Sequence, residues 1–545
     1  MVSLQPLLTT GRELLLIAVP FTFVTAAVLG GSKYFISIEQ AWRWCRLSSG
    51  FVLFLATLSG LCLAFKALLV SNGFSTPVLF TGRFASLSLH ADAASSVMLI
   101  LVAFVGYVIT SFSEQYLSGS KVQRYYLRFL MLTLACVCVI ITTNNLAVLT
   151  ASWIATSLSL HELLSLYSDR QPAIIAAHKK FLASRIGDLC MIVATVLIFR
   201  SCGTLEIDRV LHALHKQPSQ EIRAAAICLA LAACVKCAQL PLHGWLIQVM
   251  EAPTPVSALL HAGIINLGGF LLIRFSPLVS EVPSAQWLLI LIGTTTAAIA
   301  SLVMMTRISV KVMLAWSTCA QMGFMLLECG LGAYELALLH LVAHSLYKAH
   351  AFLGSGSSVE EWIDRQRLPK ASTPQPEQYF AALLFTTPVA VTTFYLWSRH
   401  DASVGQLWIV GTILSLALTS LLIFHRPGAT IPPTALLGFT ALTAILYLGL
   451  HQLFRHLLSI ASPQPSHPAI AFVTITFFAV FTLQAIVQSR PTGPIARRLY
   501  PTFYAGLFLD EIFTRITFRI WPSRMPGKSG KMRHISELLK AGEKL

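Results

Sequence analysis

Apolar runs of bilayer-crossing length follow one another along almost the whole chain, and a chain built this way has few folds open to it. In hydrocarbon every backbone N–H and C=O must be satisfied within the protein, so runs of about twenty apolar residues become membrane-spanning helices. The runs are Leu14–Gly30, Leu47–Val70, Ala94–Phe112, Leu127–Ile141, Leu146–Tyr167, Ile186–Phe199, Ile222–Leu240, Val256–Phe275, Trp287–Met305, Val310–Cys329, Tyr334–Leu353, Tyr379–Trp397, Leu407–Phe424, Pro432–Leu453 and Ile470–Gln488. They predict an all-α polytopic membrane protein of about fifteen transmembrane helices. Composition agrees: of 545 residues 55% are hydrophobic and 11% charged, against about 25% in soluble domains, and the mean hydropathy is +0.71. The first run follows Arg12 and shows no small-residue cleavage pattern, so it reads as a retained span.

The formal charge of +16 would suggest nucleic acid in a soluble protein, but here the basic residues lie in short loops and the tail, where they set orientation. Arg43 and Arg46, Lys121 and Arg124, the group from Arg170 through Lys179 and Lys180 to Arg185, then Arg307 and Arg426 fall in alternate loops. The tail, with Arg490, Arg497, Arg498, Arg515 and Arg519, falls on the same side. By the positive-inside rule that side is cytoplasmic and the N-terminus external, in the inner membrane of a bacterium. Tyr504–Trp521 predicts one amphipathic helix on the membrane surface, which could also dock a soluble partner. The eleven cysteines sit almost wholly in apolar runs and read as small buried residues. Cys234 and Cys237 form a CxxC with no second pair at zinc spacing, so neither a metal nor a cofactor is expected.

Within this frame Lys236 stands out. It lies inside Ile222–Leu240, where a cation costs roughly 2.5–3.5 kcal/mol to insert, and Pro241 breaks the helix just beyond it. Broken helices at mid-membrane mark ion or substrate paths, whereas a structural lysine would snorkel to the interface. A second proline, Pro388 within Tyr379–Trp397, predicts a second break about five spans later, as in two inverted five-helix repeats. Between them, His340, His344 and Lys348 recur every fourth residue, along one helix face over roughly 12 Å. Such a file can pass protons through intervening water; its structural alternative is hydrogen bonding between helices.

KCAQLPLHGWLIQVMEAPTPVSALLHAG, LLHLVAHSLYKAHAFLGSGS and SVKVMLAWSTCAQMGFM resemble three motifs of the proton-translocating antiporter-like subunits shared by respiratory complex I (subunit L) and Mrp-type Na+/H+ antiporters. The resemblance covers roughly Ala91–Gly356. It implies that Lys236 is the switching lysine of a first half-channel and His261 a histidine beside it. It also implies that His340 and His344 form a connecting polar axis, that Lys348 links it onward, and that Asp188 lies near a neighbouring subunit. The domains it implies are N-terminal helices (1–126), two antiporter-like repeats (127–275 and 276–425), C-terminal helices (426–489) and a basic cytoplasmic tail (490–545).

Departures from that pattern narrow the reading. The glutamate that the family places after a tryptophan in the fifth span is Ile154 here, and Glu162 lies two turns further on. The aspartate expected before Lys311 is replaced by Ser309, and no charged residue stands on the second broken helix. No long lateral helix or sixteenth span follows the fifteenth run. In these respects the chain is similar to the membrane subunits of DAB inorganic-carbon transporters (DabB). Those subunits pair with a large soluble subunit of the DabA type that resembles a zinc β-carbonic anhydrase. The resemblance implies a transporter subunit rather than an enzyme, passing a cation, a proton by preference, with Glu162 or Asp188 as countercharge and any hydration chemistry in the partner. The alternatives are a subunit of a Na+/H+ antiporter or of complex I, and a non-conducting anchor for a soluble enzyme.

Overall fold

Helix starts follow the capping residues in the chain. Asp92 accepts from the Ser95 amide (2.7 Å), Asn145 from the Ala147 and Val148 amides, and Ser219 from the Ile222 amide, each satisfying donors that the first turn leaves open. The computed structural model describes residues 4–32, 37–69, 88–89, 92–167, 170–213, 218–358, 360, 363–364, 374–398, 411–413, 415–416, 418–419, 423, 433–458 and 465–521. The expected span Leu407–Phe424 lies largely outside them, as do Arg426 and the chain beyond Trp521.

The helices are α1 (Leu4–Gly31), α2 (Ile38–Leu69), α3 (Ala93–Tyr116), α4 (Gln123–Thr142), α5 (Leu146–Leu164), α6 (Gln171–Cys202), α7 (Ile207–Ala213), α8 (Gln220–Lys236), α9 (Gly244–Gln248), α10 (Thr254–Ala262), α11 (Leu267–Arg274) and α12 (Ser276–Ser280). They continue with α13 (Pro283–Met304), α14 (Val310–Gly330), α15 (Tyr334–Leu353), α16 (Pro376–Ser398), α17 (Pro433–Leu458), α18 (His467–Ser489), α19 (Pro494–Tyr504) and α20 (Leu509–Ile520). Among the described residues extended pairing is limited to two isolated bridges, Leu89 with Thr143 and Asn145 with Glu206. Among the described residues ten segments are long and apolar enough to cross a membrane: α1 to α6, α10 with α11, α13, α14 and α18. The chain is a multi-pass membrane protein. Helices α15, α16 and α17, with 20, 23 and 26 residues, also have crossing length at about 1.5 Å per residue.

Lipid supplies no hydrophobic drive between helices, so close packing has to come from small residues. Helices α13 and α14 meet backbone to backbone: a Cβ on Gly293 would lie 2.6 Å from the Gly323 carbonyl oxygen, and one on Gly323 would lie 2.8 Å from that of Gly293. Elsewhere a buried cation does the joining. Arg274, at the end of α11, donates to the Ile140, Ile141 and Thr143 carbonyls, which the C-terminus of α4 leaves without intrahelical partners.

Three expectations are corrected. Arg170–Arg185 is not a loop but the first half of α6, with Lys179 and Lys180 buried, because α6 extends well beyond its apolar core. Helix α16 continues through Pro388, which removes a single backbone donor and leaves helix on both sides. Tyr504–Trp521 is not one helix, because the chain turns through left-handed Leu507 (φ 55°) and Phe508 (φ 58°) before α20 begins. The tail folds back on the bundle instead. Asp510 accepts from the buried Lys179 amine (2.8 Å) and from the Gln248 amide (3.0 Å), Arg307 donates to the Phe503 carbonyl (3.3 Å), and Trp521 stacks on His178 at 3.9 Å. Phe513 and Thr517 turn inward, while Ile512, Ile516 and Ile520 remain exposed.

Candidate functional site

The break beside Lys236 begins before Pro241. Helix α8 ends at Lys236 itself, and after the Cys237 amide has bonded to the Ala233 carbonyl (2.9 Å) the following two amides fold back: Ala238 donates to the Val235 carbonyl (3.2 Å) and Gln239 to that of Cys234 (3.1 Å). With Ala238 left-handed (φ 50°), this is a Schellman stop, made here without glycine. The unwound stretch is kept satisfied by the Thr296 hydroxyl, which accepts from the Leu240 amide (3.2 Å), and by the Gln239 side chain, which donates to the Cys237 carbonyl (2.9 Å). The stop places the Lys236 amine at the negative end of the α8 dipole, which favours a cation.

That amine lies 4.4 Å from the centroid of the Trp153 ring. Where the antiporter pattern would put a carboxylate next to this tryptophan, the aromatic face itself meets the cation. Both side chains line a small cavity with about 20 Å³ of room for water, enough for roughly one molecule. Asp188, Lys180, Ser157, Trp245, Ile264 and Ile265 are also in its wall. Asp188 is its one carboxylate and lies 2.7 Å from the Arg185 guanidinium, in an ionic contact off the line of a hydrogen bond. Glu162 is not brought to the cavity: at the end of α5 it accepts from the Tyr125 hydroxyl. Of the two candidate countercharges, the geometry therefore places Asp188 with Lys236.

A second polar cluster lies around α15. His340 Nδ1 is 3.0 Å from the Glu328 carboxylate, and the His340 and His344 rings are 6.1 Å apart. His261 Nδ1 is 3.0 Å from the Thr318 hydroxyl, and the Lys348 amine donates to the Leu314 carbonyl (3.1 Å). The Nε2 atoms of His261, His340 and His344 are buried with no protein partner among the described residues. Three open ring nitrogens in one cluster suit bridging water. The run Val256–Phe275, expected to be one continuous span, is interrupted between α10 and α11 at Gly263–Asn266. That interruption separates the two clusters, since Ile264 and Ile265 face the Lys236 cavity while Asn266 donates to the Ser345 hydroxyl on α15 (2.7 Å).

Two of these residues are not singled out as site residues by the sequence reading. Glu328 is a carboxylate inside an apolar run, visible by the same cost argument that singles out Lys236. Lys180 is hidden among basic neighbours that look like a loop; only the length of α6 carries it inward. Among the described residues no group of histidine, cysteine or carboxylate side chains could hold a metal ion, and all eleven cysteines are free.

Residues 143–462 match the family model described as NADH:quinone oxidoreductase/Mrp antiporter, TM. A probable inorganic carbon transporter subunit DabB of Hydrogenovibrio crunogenus is 43% identical over 442 residues, covering 79% of this chain and 83% of the relative. Another probable inorganic carbon transporter subunit of this kind, from Halothiobacillus neapolitanus, is 38% identical over 543 residues, covering 96% of each. In fold the chain is similar to the Mrp complex from Dietzia, with a TM-score of 0.54 at 20% identity, covering 97% of this chain and 59% of that one. Matched over more than half its length by the family model and over most of it by these relatives, the chain belongs to the DabB inorganic carbon transporter subunits, within the NADH:quinone oxidoreductase/Mrp antiporter membrane family.

Proposed function

We propose that this transporter subunit conducts protons through the Lys236 cavity and the α15 cluster, and that the conduction drives inorganic-carbon accumulation by a soluble DabA-type partner with zinc carbonic-anhydrase-like chemistry. The observation that carries the reading is the position of Lys236 at a helix break, against an aromatic face and a water-sized cavity, with Asp188 in the wall. Holding a lysine there is costly without a function to retain it. A lysine so placed loads a proton when countercharge is near and releases it when that balance changes. His261, His340, His344 and Lys348 carry the proton onward, their open ring nitrogens joined by water. Fifteen spans, inverted repeats at 127–275 and 276–425, an external N-terminus and an inner-membrane location belong to the same reading, supported by the ten candidate spans and by family membership. The tail, with exposed Ile512, Ile516 and Ile520 beside Arg515 and Arg519, suits the cytoplasmic membrane surface near the docked partner.

The test is proton flux into proteoliposomes holding the chain and its co-purified partner, followed with a trapped pH-sensitive dye. Lys236→Ala is expected to insert and to keep the partner while flux falls roughly tenfold or more, a barrier increase of at least about 1.4 kcal/mol. Undiminished flux in that variant would overturn the reading.

A further inference from the structure

Lys180 is a buried amine in the wall of the Lys236 cavity that the path described above does not use. It donates to the Ser157 carbonyl and to the Ser157 hydroxyl (3.0 Å) on α5. Two acceptors serve an ammonium with three N–H donors, which leaves one for cavity water. The same cavity thus holds two lysines and one carboxylate, and that carboxylate is already engaged by Arg185, a guanidinium that does not give up its proton. Arg185 offsets Asp188 without cancelling it, and the two amines stand in the wall of one water-sized cavity, where Lys236 acts as a like charge on Lys180. Like charges at close range in a poorly solvated site disfavour double ionisation, as they do for paired carboxylates.

We propose that Lys180 and Lys236 share a single proton across this cavity, so that Lys236 is loaded and unloaded by exchange with a second amine instead of with a carboxylate. In the exchange an N–H bond of one ammonium breaks, its electron pair staying on that nitrogen. The proton passes through the intervening water to the lone pair of the other amine, and no further reactant is needed. This explains how the chain dispenses with a carboxylate at Ile154: the partner that alternates with Lys236 lies on α6, one helix away from where the antiporter pattern has it. The titratable groups facing the pair are Arg185 and Asp188 on α6, His161 on α5, Cys136 on α4 and Cys237 on α8. Helix α9 adds Trp245, and Asp510 of the tail is occupied by Lys179.

The inference rests on the proton-conducting reading, and its test separates the two. Lys180→Arg and Lys180→Met are compared with Lys236→Ala in the same proteoliposomes, with insertion and partner retention checked for each. Lys180→Arg keeps charge and donors for Ser157 but not a releasable proton, so flux should fall roughly tenfold or more. In Lys180→Met the flux should fall, and whatever flux remains should lose the acid limb set by double protonation of the pair, because only one amine is left to load. Full flux in Lys180→Arg would reduce Lys180 to a structural donor for Ser157 and overturn the proposal. Wild-type flux with an unmoved pH profile in Lys180→Met would overturn it equally. If Lys236→Ala conducts normally, it is the proton-conducting reading that fails, whatever the Lys180 variants do.

Discussion

Asp188→Asn removes the one carboxylate of the Lys236 cavity while preserving its shape, and the geometry sets the size of the effect. Removing one member of a fully buried ion pair costs about 3–5 kcal/mol, because the other charge is left uncompensated. Here the Asp188 side chain is 6% exposed but that of Arg185 is 35% exposed. Solvent at the arginine roughly halves the cost, giving about 2 kcal/mol of stability. A second effect falls on the lysines. Without Asp188 the positive field of Arg185 acts on them unopposed, so loading a proton onto either amine becomes less favourable. The assays are thermal unfolding of the purified complex in detergent, expected to show a lowered midpoint, and proton flux in proteoliposomes, expected to fall strongly. The double variant Arg185→Gln with Asp188→Asn restores the original net charge, and should recover most of the stability and part of the flux. A single variant with unchanged midpoint and flux, or a double variant no better than the single, would refute the charge-balance argument.

Two further outcomes follow from other contacts. Glu328→Gln keeps the shape beside His340 but removes the buried charge 3.0 Å from its ring, so flux should drop several-fold with the protein still folded; equal flux in matched vesicles would remove Glu328 from the path. Asp510→Asn leaves the Lys179 amine, 0% exposed, without its carboxylate, and since Asp510 is 31% exposed the loss should be about 1 kcal/mol. The tail should loosen accordingly, which trypsin cleavage at Arg515 and Arg519 reads directly; an unchanged cleavage rate would mean that stacking of Trp521 on His178 holds the tail by itself.

Class and family were legible in the sequence because both rest on local properties. A run of about twenty apolar residues has to become a helix wherever its neighbours lie. A lysine inside such a run is costly enough to be noticed by itself, and the motifs around Lys236, His261, His340 and Lys348 are contiguous strings. The stop at Lys236 was only partly legible. Pro241 marked the place, but the helix ends earlier, at a Schellman turn in which Ala238 adopts the left-handed conformation usually left to glycine. No local signal shows that Ile264 and Ile265 would interrupt a run that reads as one span. What the tertiary structure decided is which charges meet. Glu162 and Asp188 looked equivalent as countercharges until α6 carried Asp188 into the cavity and α5 turned Glu162 toward Tyr125. Lys180 looked like a loop cation until the same helix buried it, and Asp510 reached Lys179 from more than three hundred residues away. Electrostatic partnership depends on distance and on solvent exclusion, and both are set by how the helices pack, which no stretch of sequence encodes by itself.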